Sequence, residues 1–252
     1  MFLKNDSDRD WEMWAKENPF YGVLSAPEFL KENLNDASIQ QFFLSGERHV
    51  DHVYSVVRQK IDPKFQPARV LDYGSGVGRI VIPLARRSEV AFGVDVSSSM
   101  LKLSRENCET AGLTCAQFIH ANDLSTIPSG SLDFVHSCLV FQHIPTGRGE
   151  NIFRKLISLL AKGGVGSIHF NYADTRSMLR QTIARARRNS DMLHRLLNMM
   201  LGRSASAPMM QMNNYSINHI LNILVDEECQ ISCVELAKDG CYRGATFYFQ
   251  KN

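Results

Sequence analysis

The chain has no Cys-x-x-Cys pair, although it carries six cysteines, at positions 108, 115, 138, 229, 233 and 241. Thiols at that spacing mark zinc sites and dithiol redox centres, so neither is expected here, and no metal is expected. Several of the six stand in apolar, strand-like runs, which suits free buried thiols in a reducing, cytoplasmic compartment. The opening "MFLKNDSDRDWE" is too acidic and too poor in apolar residues for a secretory signal. No run reaches the length of a membrane span, so no membrane partner is expected. Basic blocks are missing too, and a formal net charge of +2 argues against a protein built to coat a polyanion. The phosphate-cradling pattern Gly-x-x-x-x-Gly-Lys-[Ser/Thr] is absent, as are internal repeats and low-complexity segments.

What is present reads as an alternation. The 252 residues are 44% hydrophobic and 21% charged, ordinary for a globular chain with one large core. Residues 1–62 look like a helical extension or lid. "DRDWEMWAKENPF" carries Trp11 and Trp14 and stops near Pro19. A longer pattern spaces Ile39, Phe42, Phe43, Val50, Val53, Val57 and Ile61 helically, with a break expected at Ser45-Gly46. Pro63 and Pro67 punctuate a linker.

From Ala68 strands alternate with helices. "ARVLDY", "EVAFGVD", "CAQFIHA", "SLDFVHSCLVF" and "VGSIHFNY" are strand-like, with a helix over Gly78–Arg87 and another that runs from Thr146 to the glycines at 163 and 164. Strands separated by helices imply right-handed crossovers and a parallel sheet covered on both faces. Residues 174–214 form a helical, methionine-rich insertion, and the chain ends in two strand-like runs around Asp239-Gly240, a hairpin signal.

The stretch "RVLDYGSGVGRIVIPLARR" raises the functional question, because a glycine loop between a strand and a helix holds nucleotide-like ligands at strand carboxyl ends. The dinucleotide fingerprint needs a third glycine where Arg79 stands, so a nicotinamide site fits poorly. An acid followed by Gly74, Gly76 and Gly78, with a second acid, Asp95, 23 residues after Asp72, is a different pattern. "LDYGSGVGR", "FGVDVSSSML" and "HANDLSTIPSGSLDFVHS" resemble the successive motifs of class I S-adenosylmethionine-dependent methyltransferases, over roughly Ala68–Tyr172.

That resemblance implies a seven-stranded, mostly parallel sheet with helices on both faces and an antiparallel carboxyl-terminal hairpin strand, over residues 63–252. It implies S-adenosyl-L-methionine as cofactor, with S-adenosyl-L-homocysteine as product. The cofactor residues it implies are Asp72, Gly74, Ser75, Gly76, Gly78, Arg79, Asp95, Val96, Met100, Asn122, Asp123, Leu124 and Cys138. Asp95 would take the ribose hydroxyls, Asp123 the adenine amino group, and Leu124 the ring. Each also has a plainer reading: a ligand-free turn for the glycines, a helix cap for Asp95, a turn carboxylate for Asp123, and a loop brace for Asp72.

Methyl transfer needs an aligned nucleophile in a dry site, and a base only if the acceptor is protonated. His143 in "VFQHIP" is the candidate base, with a local hydrogen bond as its alternative, whereas His120 reads as structural. The acceptor is read from outside the core. No Asn-Pro-Pro-Tyr-like tetrapeptide follows the fourth strand, which disfavours the nucleic-acid amino methyltransferases. Seven arginines but a single acid, Asp191, lie between Arg176 and Arg203. They form either a solvated face or a mouth for an acidic substrate. The candidate substrate residues are Trp14, Tyr21, Gln142, His143, Arg176, Arg180, Met212 and Tyr215. The expectation is methylation of an O or N nucleophile on a small molecule by a monomer or homodimer. A protein or RNA methyltransferase and a non-catalytic partner subunit are the alternatives.

Overall fold

In the computed structural model, which describes residues 7–202 and 204–252, seven strands form one sheet in the order β3-β2-β1-β4-β5-β7-β6. They are β1 Arg69–Tyr73, β2 Val90–Asp95, β3 Ala116–His120, β4 Leu132–Ser137, β5 Leu160–Asp174, β6 Cys229–Asp239 and β7 Tyr242–Lys251. The first five pair in parallel, and β7 runs antiparallel between β5 and β6. This is the class I methyltransferase fold. The interior residues of β1 and β4 are buried on both faces, as the apolar runs require. Strand order reverses between β1 and β4, so a crevice opens at their carboxyl ends.

The helices are α1 Ser7–Glu17, α2 Pro19–Val23, α3 Asp36–Lys60, α4 Val81–Ala85, α5 Ser98–Thr110, α6 Thr146–Leu159, α7 Met178–Asn189, α8 Asp191–Met200 and α9 Ile217–Asp226. One apolar core, centred on Phe141, Phe153 and Phe170, lies on one side of the sheet with α6 and α9. A second packs Val53, Val57 and Phe65 against Val70 and Phe134.

Three expectations need correction. The break at Ser45-Gly46 does not occur: α3 is continuous for 25 residues and opens on a reciprocal cap between Asn35 and Ser38. Gly46 is there for proximity, since a Cβ at that position would overlap the Arg79 carbonyl oxygen. The helix after the glycine loop is Val81–Ala85 rather than Gly78–Arg87, because Gly78 has φ +93°. The helix from Thr146 ends at Leu159. Leu160 leaves it to pair with Leu132, and the double glycine lies in an extended segment with Gly163 at φ +80°.

Candidate functional site

The glycine loop closes β1 over the end of β2. The N–H groups of Gly74 and Ser75 both donate to the Val94 carbonyl, at 2.7 and 3.0 Å. Gly74, Gly76 and Gly78 all have positive φ, which side chains resist. A Cβ on Gly74 would overlap Val140 and one on Gly76 would overlap Val23, so the loop is tightly roofed as well as tightly turned.

Two carboxylates face this loop. Asp95 Oδ2 accepts from the Gly76 N–H at 2.8 Å, and its Oδ1 accepts from the Ser97 N–H at 2.9 Å. Burial pushes its carboxyl up to about 6, against these hydrogen bonds. It braces the loop and leaves the capping of α5 to Ser97, whose hydroxyl accepts from the Met100 N–H. Asp72 is 3% exposed, and its Oδ1 lies 2.7 Å from His136 Nδ1. A carboxylate demands a donor, so His136 Nδ1 carries a proton. His136 Nε2 and His49 Nε2 share a hydrogen bond at 2.9 Å. Burial, reinforced by His136 and Arg79, pushes His49 down to about 2, which keeps that ring neutral.

The two carboxylates and the glycine loop line a cavity of about 880 Å³ of atom-free space, its open mouth included. Its walls come from the ends of β1, β2 and β4, with Val96 and Met100 on one side and Cys138, Val140 and Ile144 on another. Two buried polar atoms here have no hydrogen-bond partner among the described residues, Ser75 Oγ and Arg79 Nε. Burial lowers the Arg79 guanidinium from its ordinary value. A buried cation and a buried hydroxyl without a bonded anion suit a ligand carboxylate. Burial also pushes the Cys138 thiol up to about 11, so it stays a neutral wall group. Leu139, which follows it, holds φ at 61°, a strained conformation for a branched side chain and one concentrated at functional sites.

Helix α1 roofs the cavity. Trp11 meets the His143 ring edge-on at 4.9 Å, and Asp8 pairs with Arg148 at 2.6 Å. Glu12 accepts from the Ser97 and Ser99 hydroxyls, at 2.7 and 2.5 Å, and from the Ser99 N–H at the start of α5. These hydrogen bonds outweigh burial and hold Glu12 at about 2.

His143 lines the cavity in a fixed tautomer. Its Nδ1 is 2.7 Å from the Gln211 carbonyl, which can only accept, so Nδ1 is protonated and the Nε2 lone pair accepts from the Gln142 side-chain amide at 3.3 Å. Burial pulls the ring down to about 4, so it is neutral near pH 7.

Among the residues singled out from sequence, Asp72, Gly74, Ser75, Gly76, Arg79, Asp95, Val96, Met100, Cys138 and His143 line this cavity together. Gly78 sits behind the loop against Ser104. Asn122, Asp123 and Leu124 do not line it. They occupy a 3-10 segment after the edge strand β3, with Asp123 exposed and Leu124 in the core. His120 braces that segment through the Val96 carbonyl at 2.8 Å.

Most of the candidate substrate residues also stand outside the cavity wall. Trp14 and Tyr21 pack on each other at 5.7 Å. Gln142 is buried, with its carbonyl holding Asn213. Arg176 is committed to Asp174 and Tyr242, and Arg180 is exposed on α7. The Met212 carbonyl accepts from Arg188. Tyr215 is core, with its hydroxyl on the Ile144 carbonyl at 2.9 Å. Sequence reasoning missed Arg148, Val23 and Leu139 as wall residues, and no local pattern marks them.

Residues 70–164 match the family model of a methyltransferase domain. Over 107 residues the chain is 32% identical to a probable non-canonical nonribosomal peptide synthetase of Salinispora arenicola, which covers 40% of this chain but 1% of that protein. Over 78 residues it is 32% identical to a ubiquinone biosynthesis O-methyltransferase of Methylococcus capsulatus, covering 31% of this chain and 33% of that one. The chain therefore spans a third or less of the length of these curated relatives. Magnesium protoporphyrin IX methyltransferase from Synechocystis PCC 6803, solved with bound SAM, matches with a TM-score of 0.63 at 17% identity over 100% of both chains. A SAM-dependent methyltransferase from Methanosarcina mazei gives 0.57 at 15% identity, over 78% of this chain and 96% of that one.

Proposed function

We propose that this chain, whose residues 70–164 are a methyltransferase domain, binds S-adenosylmethionine and transfers its methyl group to an O or N nucleophile of a small molecule. The observation that carries this reading is the donor set around the glycine loop. Asp72 suits the ligand's ammonium, the unpartnered Ser75 Oγ and Arg79 Nε suit its carboxylate, and Asp95 suits the ribose diol. Met100 and Val96 offer apolar surface beside Asp95 for the base.

When bound, the sulfonium supplies an activated methyl group, and the methyl–sulfur bond breaks as the acceptor's bond to carbon forms. The chain supplies alignment under the Trp11 roof, and a proton acceptor at His143 Nε2 if a hydroxyl acceptor displaces the Gln142 amide from it. A cavity roofed by a helix favours a small acceptor over a macromolecule. The O-methyltransferase relative and the porphyrin methyltransferase neighbour agree with a small-molecule acceptor.

Calorimetry with S-adenosylhomocysteine tests the cofactor. Binding is expected, and Asp95→Ala should weaken it roughly 10- to 150-fold, the worth of hydrogen bonds to a charged acceptor. Absence of binding by the wild-type chain would overturn the reading.

A further inference from the structure

Hairpin α7–α8 is built inside out. Among the described residues, eight of the twelve exposed large apolar side chains lie between Met178 and Leu201. On α7 the outward residues Leu179, Ile183 and Ala186 follow helical spacing, and on α8 Met192, Leu196, Met199 and Met200 do the same. The most deeply buried residues are polar, His194 and Asn198, with Leu193 and Leu197 half-buried beside them. Gln181 donates to the Asp174 and Arg176 carbonyls. Arg187 donates to His194 Nδ1 at 3.0 Å and to Asn198 Oδ1 at 2.5 Å. Arg188 reaches Asn213 Oδ1 at 2.7 Å, and Asn198 donates to the Ala205 and Ala207 carbonyls. A helix pair in water normally turns its apolar stripe inward, so this one is shaped for an apolar environment outside.

The charge at the rim says which environment. Arg180 and Arg185 stand exposed beside the stripe, and the hairpin's one acid, Asp191, is engaged by Arg195 at 2.9 Å. A second copy of this face would set arginines against arginines with no acid free to match them. An anionic bilayer interface offers acyl chains to the stripe and phosphates to the cations at once. We infer that α7–α8 is a membrane-surface element that lies on anionic lipid with Leu179, Ile183, Leu196 and Met199 immersed. No helix among the described residues is long and apolar enough to cross a membrane, and this element does not need to be.

The hairpin is also wired to the cavity. Arg188 holds Asn213, whose N–H donates to the Gln142 carbonyl at 2.6 Å, next to His143. Lipid contact would therefore bear on the segment that fixes the His143 ring.

Co-sedimentation of the full chain with equimolar phosphatidylglycerol–phosphatidylcholine vesicles, against phosphatidylcholine alone, tests this. Binding that requires phosphatidylglycerol and falls with salt is expected. Arg180→Gln with Arg185→Gln should weaken it roughly 10- to 30-fold, and Leu196→Glu with Met199→Glu should abolish it. Both pairs point outward, so an unchanged circular dichroism melt confirms that they fold, and the arginine pair alone carries the test if the glutamate pair does not. Equal binding to neutral vesicles, or no binding by the wild-type chain, overturns the proposal. So does a concentration-dependent dimer that the glutamate pair dissolves, which would assign the face to a second copy.

Discussion

His136 Nδ1 lies 2.7 Å from Asp72 Oδ1, both side chains almost wholly buried, and the far side of the His136 ring rests on His49. The loop acid is thus oriented from behind by strand β4, and β4 in turn by helix α3. Replacing His136 with Ala leaves a buried carboxylate short of a donor, which costs about 1.5–3 kcal/mol for a hydrogen bond to a charged group. His136→Asn keeps an N–H near the same place and should recover part of the loss. Urea midpoints measure the stability, and calorimetry with S-adenosylhomocysteine measures the orientation of Asp72. If Ala and Asn bind alike, Asp72 does not depend on His136.

Acid should unfold this protein through its histidines first. His49 is held near 2, and His143 and His169 near 4, in each case chiefly by burial. Their folded values lie below the unfolded value of about 6.5, so the unfolded chain takes up protons that the folded chain refuses. The stability they contribute is complete above pH 6.5 and is lost as the pH falls towards 4 and below. Asp95 acts oppositely between about 6 and 4, since its folded carboxyl takes the proton first. Each uncompensated proton steepens the decline by about 1.4 kcal/mol per pH unit. Urea titrations from pH 7 to 4.5 should therefore show a falling free energy, and a flat profile would contradict the buried neutral assignments.

Glu12→Ala should free the roof without unfolding the domain. The carboxylate ties α1 to the first turn of α5, while elsewhere on α1 only Ser7, Asp10 and Ala15 are buried. Amide exchange within α1 should rise, S-adenosylhomocysteine should dissociate faster, and the global urea midpoint should stay close to wild type. Because Glu12 sits near 2, below its unfolded value of about 4.5, the wild-type latch should hold above pH 4.5 and loosen as the pH falls towards 2. Unchanged exchange in α1 would mean that Trp11 and Asp8 suffice.

The glycine loop and Asp95 were legible in the sequence because the constraint is local: a turn, a strand end and a fixed separation. The pairing of Asp72 with His136 was not, because it exists only once β1 and β4 are neighbours, 64 residues apart in the chain. The sequence singles out Trp14 as a substrate residue, yet the docking of α1 sets Trp11 on the cavity wall and packs Trp14 against Tyr21. On α7 the direction each side chain faces is tertiary: Leu179, Arg180 and Arg185 look outward and Arg187 inward. The expected site residues after β3 lie off the wall because that strand is at the sheet edge.

Two glycines in helices should respond to alanine with opposite signs. Gly147, in the first turn of α6, has nothing within 4 Å of where a Cβ would stand. Alanine there restricts the unfolded chain and improves helix propensity, a gain of about 0.4–1 kcal/mol. Gly46, in the interior of α3, would gain similarly from propensity alone. Its Cβ, however, would meet the backbone of Arg79, and backbone at the glycine loop cannot swing aside as a side chain can. Overpacking of that kind costs about 1–3 kcal/mol. Gly46→Ala should therefore lower the urea midpoint while Gly147→Ala raises it. It should also weaken S-adenosylhomocysteine, since α3 could relieve the clash only by pushing Arg79 and the loop before it. Equal stabilisation by both substitutions would show that α3 and the loop are not in contact in solution.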